Sequence, residues 1–231
     1  MFGKKECFNC SEKAKKVHMA KTVDGQYLCR SCQGLLSRYY PGCFVSTKDE
    51  VMEHLGYMKK MKRVYEGVFS DDEEKITVMN TNLGIVISPK TGFFKVIDNE
   101  WGEFNSRADV ELFRLDQINR YEVYSNHKQG VYVGNGAFID CGVKVYMNNT
   151  RKEVYNKYKP AKNHKMHPYV FELDIVTASD DKLTPMDTFE NQGLKVAYEI
   201  ADIFDRLLGT DKETVSENRV KFAALADEFL A

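Results

Sequence analysis

Two pairs of cysteines near the N-terminus constrain this chain more than any other feature. Cys7-Phe-Asn-Cys10 and Cys29-Arg-Ser-Cys32 are both Cys-x-x-Cys pairs, and eighteen residues separate them. This spacing is typical of four-thiolate zinc sites, in which each pair supplies two ligands. We therefore predict one Zn²⁺ ion bound by Cys7, Cys10, Cys29 and Cys32. Four protein ligands leave no open position for water or substrate, so this zinc would be structural and not catalytic.

The segment between the two pairs has the pattern of a β-hairpin. Asp24-Gly25 separates two short extended runs and favours a two-residue turn, because both turn positions take positive φ. After Cys32, residues 33–40 predict one or two helical turns. Some forty residues bury too little apolar surface to fold alone, so zinc would supply most of the stability of this module.

The composition is that of a folded protein in a reducing compartment. Of the 231 residues, 43% are hydrophobic and 29% are charged, as in ordinary globular proteins. The sequence has neither an apolar run of about 18 residues nor an apolar leader segment. Because four of the six cysteines have metal-site spacing, we expect a cytoplasmic protein in which Cys43 and Cys141 are buried free thiols.

Charge is distributed unevenly along the chain. Residues 1–63 carry 13 Lys and Arg against 6 Asp and Glu, a formal charge of +7, and the remaining 168 residues carry 20 against 28, a formal charge of −8. The basic part could attract an acidic protein, a nucleic acid or an anionic surface. The residues that we expect to contact such a partner are Lys13, Lys15, Lys16, Lys21 and Arg30.

Periodicity divides the rest of the chain into a helix, a β-rich region and two further helices. Thr47-Lys-Asp-Glu50 is a capping box for a helix that extends to about Tyr65. From Lys75 to Thr177 the apolar period is 2, which indicates an antiparallel sandwich or a partly open barrel. The predicted strands are residues 76–79, 85–88, 93–97, 110–114, 118–124, 131–133, 138–140, 143–147 and 169–177.

The helical period returns after Pro185. One predicted helix ends at Gly209 and another covers about Lys212 to Leu230. We therefore predict an α+β protein in four parts. These are a zinc ribbon (1–45), a linking helix (46–68), an antiparallel β domain with its closing helix (69–209) and a C-terminal helix (210–231).

The N-terminal part resembles a short four-cysteine zinc-ribbon domain of unknown function that occurs at the N-terminus of bacterial and phage proteins. The resemblance covers roughly residues 1–45 and rests on the cysteine spacing, the Lys4-Lys-Glu-Cys7 lead-in and the Asp24-Gly25 turn. It implies zinc at the four cysteines and implies no activity.

The β-rich part, which includes the short motif Phe113-Arg-Leu-Asp-Gln-Ile118, resembles a bacterial pleckstrin-homology-like domain. This motif is common in such domains. The resemblance implies a seven-stranded partial barrel plugged by a C-terminal helix. This sequence has more predicted strands than that fold needs and a second terminal helix, so insertions around residues 125–165 would hold the surplus.

The sequence carries no motif of an enzyme. A Gly-rich phosphate loop, a nucleophile elbow and a His-Glu-x-x-His sequence are all absent. His164 and His167 have metal-ligand spacing, but Pro168 follows them and no acidic third ligand is placed nearby. We interpret His18 and His54 as surface or packing residues and place His127 in a polar loop.

Two functions therefore stay open. The first is a non-catalytic interaction or regulatory protein that recognises another protein, and the family resemblance extends this to a phage-encoded inhibitor or adaptor. The alternative is a nucleic-acid-binding protein, in which the lysines neutralise phosphates and Phe2, Phe8 and Tyr27 stack on bases.

Overall fold

The computed structural model describes residues 3–37, 40, 42–98, 111–128, 137–148, 172–179 and 187–230. These residues form two compact units, of which the first runs to Arg63 and includes Glu111, and the second holds the remainder. Within these ranges the architecture is mixed α+β, with antiparallel sheets, four α-helices and no closed barrel. The predicted strand 131–133, the pair His164 and His167, and Phe2 lie outside the described residues.

Two small hairpins and two helices build the first unit. Strands β1 (Lys4–Glu6) and β2 (Lys13–Lys15) pair antiparallel, as do β3 (Met19–Lys21) and β4 (Tyr27–Cys29). Helix α1 (Arg30–Gln33) follows β4 directly. The helical turns predicted over residues 33–40 are therefore wrong in position, since the helix begins at Arg30, and isolated turns continue the chain from Gln33 to Leu36.

Helix α2 (Lys48–Val64) begins where the capping box predicted. The Thr47 N–H donates to Glu50 Oε2 at 2.7 Å, and the Glu50 N–H donates to Thr47 Oγ1 at 3.3 Å. The Asp24 carboxylate also accepts from the Lys48 N–H, at 3.2 Å. The turn of the β3–β4 hairpin is thereby tied to the start of this helix, where unsatisfied N–H groups need acceptors.

The β3–β4 turn differs from the two-residue turn that Asp24-Gly25 predicted. The Thr22 N–H donates to Gln26 O and the Gly25 N–H donates to Thr22 O, at 2.9 and 3.0 Å, so the loop has three residues, Val23 to Gly25. Positive φ is confined to Gly25, at +85°, and is not shared by Asp24. This arrangement is a type I turn closed by a left-handed glycine, in which Asp24 serves as an acceptor.

The second unit contains seven described strands in two sheets. Strands β5 (Ile76–Asn80), β6 (Leu83–Ser88), β7 (Phe93–Asp98) and β8 (Phe113–Arg114) form an antiparallel meander. Strands β9 (Ile118–Lys128), β10 (Ala137–Met147) and β11 (Glu172–Ser179) form the second sheet, in the order β11-β10-β9. His127 belongs to β9, so its predicted position in a loop is wrong.

The strands predicted at residues 138–140 and 143–147 are one continuous strand, β10. Its pairing with β11 shifts register between Cys141 and Gly142, where the strand has a bulge. A Cβ at Gly142 would lie 2.0 Å from the carbonyl oxygen of Ile175. Glycine weakens a strand pattern in the sequence, so Cys141-Gly142 separated the two predicted strands. In the structure, Gly142 lies within one strand and permits a close approach of its backbone to that of β11.

Two long helices complete the second unit. Helix α3 (Asp187–Leu208) packs against β9, β10 and β11, and its last turn is followed by Gly209 with φ +88°. Phe204 of α3 contacts Phe94 of β7 and Tyr121 of β9, with ring centroids 6.0 and 5.1 Å apart. Helix α4 (Lys212–Leu230) has the predicted bounds.

The acidic run Asp71-Asp-Glu-Glu74 contains a buried carboxylate. Asp72 is only 7% exposed, and its carboxylate accepts from Ser88 Oγ and from the Glu74 N–H. Burial raises the pKa of Asp72, but the bonds from Ser88 and Glu74 outweigh it and hold the pKa below its usual value. Asp72 is therefore a structural residue.

A close approach of α3 to its sheet at Gly193 gives a test of this packing. A Cβ at Gly193 would lie 2.5 Å from both Ala178 Cβ and Cys141 Sγ. We expect Gly193→Ala to lower the free energy of unfolding by about 1–3 kcal/mol, because the buried neighbours have no room to move. Urea unfolding followed by circular dichroism measures this change.

Gly56→Ala is the matched control. Gly56 is an exposed residue within α2, and nothing lies within 4 Å of the position of its Cβ. This substitution should stabilise by up to about 1 kcal/mol through helix propensity alone. Equal effects of the two substitutions would contradict the close packing at Gly193.

Candidate metal centre

The ends of the two hairpins bring the four cysteines together. Cys7 follows β1, and Cys10 lies in the turn before β2. Cys29 is the last residue of β4, and Cys32 lies in α1. The Phe8 N–H donates to Tyr27 O at 3.0 Å, which joins the first cysteine turn to the second hairpin.

The geometry of the four sulfurs fits a tetrahedral metal ion. All four Sγ atoms lie within 4.8 Å of one another, and Cys10 Sγ is 3.6 Å from Cys29 Sγ. Bonds of about 2.3 Å from zinc to sulfur place tetrahedral ligands about 3.8 Å apart. All six cysteines of the chain are free thiols, so none of the four is committed to a disulfide. The four cysteines predicted from spacing are therefore positioned to hold a metal ion.

Three of the four cysteines are buried in the core of the first unit. Cys7, Cys29 and Cys32 are 1%, 2% and 4% exposed, and Cys10 is exposed. The other buried members of this core cluster are Leu28, Leu36, Tyr40, Cys43, Val51 and Leu55. The metal centre and the apolar core are thus one structure, in which α2 supplies Val51 and Leu55.

N–H groups of the chain donate hydrogen bonds to the sulfur atoms. The Cys29 N–H donates to Cys7 Sγ at 3.4 Å, and Asn9 Nδ2 donates to Cys32 Sγ at 3.1 Å. Such bonds stabilise negative charge on a ligand and fix its orientation. Ser11 has a φ of +62°, and its N–H donates to Cys7 O, which folds the chain tightly around the first pair.

Burial and hydrogen bonding affect the thiol pKa values differently. At Cys7, burial opposes ionisation, but hydrogen bonds led by the one from the Cys29 N–H lower the pKa to about 7. At Cys29 and Cys32, burial raises the pKa well above that of an ordinary thiol. A bound cation supplies the positive charge that holds such buried groups as thiolates.

The predicted contact residues are exposed but do not all lie on one hairpin. Lys13 and Lys15 are on β2, and Lys16 follows them. Lys21 and Arg30 belong to β3 and α1. The register also places Lys4 directly opposite Lys15. Only strand pairing could reveal this, because eleven positions separate the two residues.

A second polar cluster in the first unit involves His54. His54 is 2% exposed, its Nε2 accepts from the Ser37 N–H at 3.1 Å, and its ring stacks on Tyr40 with centroids 4.5 Å apart. The Ser37 hydroxyl donates to Glu111. His54 therefore does not accept the Ser37 hydroxyl proton, and the three residues lack the arrangement of a hydrolytic triad. This agrees with His54 as a packing residue, whereas His18 is exposed.

The isolated cysteines are buried as predicted. Cys43 lies in the core of the first unit, and Cys141 lies under α3 in the second. Burial raises the pKa of both thiols, to about 11 for Cys43. These groups therefore stay protonated near neutral pH.

The chain matches no protein-family model, no curated protein and no solved structure. Every helix in the described ranges is too short or too polar to cross a membrane.

The metal centre predicts a defined metal content. We expect one divalent ion per purified chain, and Cys29→Ser should lose it because the buried site then lacks one of its four thiolates. Inductively coupled plasma mass spectrometry measures the content and identifies the metal. Cys43→Ala is the control, since Cys43 lies in the same core but outside the ligand set. Equal metal loss in both variants would contradict the assignment.

His54 predicts a pH dependence of stability. Burial lowers the pKa of His54 from 6.5 to about 3. The folded state thus favours the neutral ring, so this stabilisation is complete above pH 6.5 and is lost as the pH falls toward 3. Between pH 7.5 and 5.5 the loss should be about 1.4 kcal/mol in the free energy of unfolding.

Urea unfolding of His54→Phe with saturating zinc isolates this contribution, because the variant lacks the titrating group. Between pH 7.5 and 5.5, the free energy of unfolding of this variant should fall by about 1.4 kcal/mol less than that of the wild type. His18→Gln should behave as the wild type, since His18 is exposed. If His54→Phe kept the pH dependence of the wild type, the burial of a neutral His54 would not be its cause.

Proposed function

We propose that the first unit is a zinc ribbon and that Zn²⁺ is its structural metal. Four thiolate ligands whose sulfur atoms lie within 4.8 Å of one another suit Zn²⁺. This ion has no geometric preference of its own and accepts soft sulfur ligands. The four ligands leave no position for a reacting water. A reducing, cytoplasmic setting agrees with the free thiols of Cys43 and Cys141.

We also propose that the chain is a non-catalytic interaction protein that recognises an acidic protein surface. The observation that carries this proposal is the register of β1 with β2, which places Lys4 opposite Lys15 and Glu6 opposite Lys13. Directly opposed residues share one face of a sheet, so Lys4, Lys13 and Lys15 form one surface, the basic hairpin face.

The charges on this face are unevenly balanced. Glu6 lies 3.9 Å from Lys13 Nζ, whereas Lys4 and Lys15 have no salt-bridge partner among the described residues. Like charges directly opposite each other destabilise a strand pair. An acidic partner would relieve that repulsion, and zinc would hold the hairpin in place while it binds.

The neighbouring side chains favour a protein over a nucleic acid. Phe8 packs on the core cluster, and Lys5 Nζ lies 5.6 Å from the ring centroid of Tyr27, so these two aromatic rings are already engaged. Val17 is 74% exposed next to the lysines, and Glu12 is also exposed. An apolar side chain and acidic residues beside the lysines suit a protein surface better than a phosphate backbone.

For the second unit, we propose a pleckstrin-homology-like domain. Its support is the division of seven described strands into sheets of four and three, followed by α3 packed on the smaller sheet. For the whole chain, the proposed interaction function includes a role as a phage-encoded inhibitor or adaptor. That role rests only on the resemblance of residues 1–45 to the zinc-ribbon domain.

Charge reversal on the basic hairpin face tests the proposed function. Affinity-tagged wild type and the double variant Lys4→Glu/Lys15→Glu are each cross-linked in a lysate of the source organism, with and without nuclease. We expect a protein that the wild type captures despite nuclease treatment and that the variant loses. With the recovered partner, titration calorimetry should show affinity about tenfold lower for the variant.

Lys195→Glu/Lys212→Glu is the control, because it makes the same charge change on exposed positions of α3 and α4. It should capture the same protein as the wild type. Equal loss in both double variants would show a general charge effect and would refute the assignment to the hairpin. Capture that nuclease abolishes would transfer the role to nucleic-acid binding.

A further inference from the structure

The four sulfurs of the metal centre differ in their access to solvent. Cys7, Cys29 and Cys32 are buried within the core of the first unit, whereas Cys10 is exposed. A reagent from solution therefore meets the centre at Cys10. Access is one of the two properties that decide which cysteine in a cluster reacts.

The sulfurs also differ in their hydrogen bonds. Cys7 Sγ accepts from the Cys29 N–H and Cys32 Sγ accepts from Asn9 Nδ2, while Cys10 Sγ receives no N–H bond from the described part of the chain. A donated hydrogen bond withdraws negative charge from a thiolate and makes it a weaker nucleophile. Cys10 is thus the most exposed of the four sulfurs and receives no N–H bond from the described residues.

A second thiol lies within reach of Cys10. Cys29 Sγ is 3.6 Å away. A disulfide needs its sulfurs about 2.05 Å apart, so a shift of roughly 1.5 Å would join the two. Cys10 lies in the tight turn between β1 and β2, at the exposed edge of the centre.

We propose that Cys10 is a modification site for hydroperoxides and that its oxidation ejects the metal. The proposal rests on the zinc site proposed above. The Cys10 thiolate attacks the terminal oxygen of the hydroperoxide, an S–O bond forms, the O–O bond breaks, and the leaving alkoxide or hydroxide takes up a proton. The product is a sulfenic acid at Cys10, and the hydroperoxide is reduced to an alcohol or water.

Cys29 completes the reaction. Its thiolate attacks the Cys10 sulfur, the S–S bond forms, the S–O bond breaks, and the hydroxide that leaves takes up a proton to give water. The two sulfurs together lose two electrons to the hydroperoxide. Zinc then keeps two of its four ligands and is released, and the first unit loses the support of its metal. Oxidation would thus destabilise the hairpin and abolish binding through the basic hairpin face.

Two measurements on the zinc-loaded full-length chain test the proposal. The protein is treated with hydrogen peroxide at one to ten equivalents, and zinc release is followed with a chromogenic chelator. In parallel, dimedone traps sulfenic acid and peptide mass spectrometry locates it. We expect the adduct at Cys10, a Cys10–Cys29 disulfide in the absence of dimedone, and one zinc released per disulfide.

Cys10→His and Cys32→His form a matched pair. Each leaves three cysteines and one histidine, a ligand set that zinc accepts, but only Cys32→His keeps the exposed thiolate. Zinc release should be at least tenfold slower in Cys10→His than in Cys32→His. Equal slowing in both variants, or adducts spread over all four cysteines of the wild type, would overturn the proposal.

The test separates this proposal from the one it rests on. A purified chain without bound metal would overturn the zinc ribbon and this proposal together. A chain that binds zinc but reacts first at a buried cysteine would leave the zinc ribbon standing and refute the modification site alone. Adduct mapping needs no variant, so the outcome does not depend on whether the histidine variants bind zinc.

Discussion

The convergence of four thiols on one point is the constraint on which the first unit depends. Cys7, Cys29 and Cys32 are core residues as well as candidate ligands, packed with Leu28, Leu36 and Val51. Burial raises the pKa of Cys29 and Cys32, and a bound metal cation would favour their thiolate forms at neutral pH. Binding of a metal would therefore be coupled to formation of this core, and it would stabilise two hairpins whose strands have only three residues each.

The same centre lies next to the hairpin formed by β1 and β2. The turn that carries Cys7 and Cys10 connects β1 to β2, so the register that opposes Lys4 and Lys15 depends on the ligand geometry. A site with four protein ligands leaves no coordination position for a substrate, and recognition through the surface that it holds is the function proposed above. Because Cys10 is exposed, an oxidant that reacts there would disturb both the metal centre and the hairpin.

The second unit gains its stability from ordinary packing. Phe204 joins α3 to strands of both sheets, through Phe94 and Tyr121. Gly193 and Gly142 permit the close approaches of helix to sheet and of strand to strand. The Ser88 hydroxyl donates a hydrogen bond to the Asp72 carboxylate in the interior, and this bond offsets the desolvation of the buried carboxylate. Its sheets of four and three strands account for every β segment predicted within the described residues.

The sequence by itself determined the ligand set, the capping box of α2, the bounds of α4 and most of the strands, because these depend on spacing and periodicity within a few residues. Only the tertiary structure decided the three-residue turn at Asp24, the continuity of β10 through Cys141 and Gly142, and the burial of Asp72. It alone placed Lys4 opposite Lys15 and set Cys10 apart from the other three cysteines. Each of these depends on which distant backbone or side chain comes to lie alongside, and local pattern carries no information about that contact.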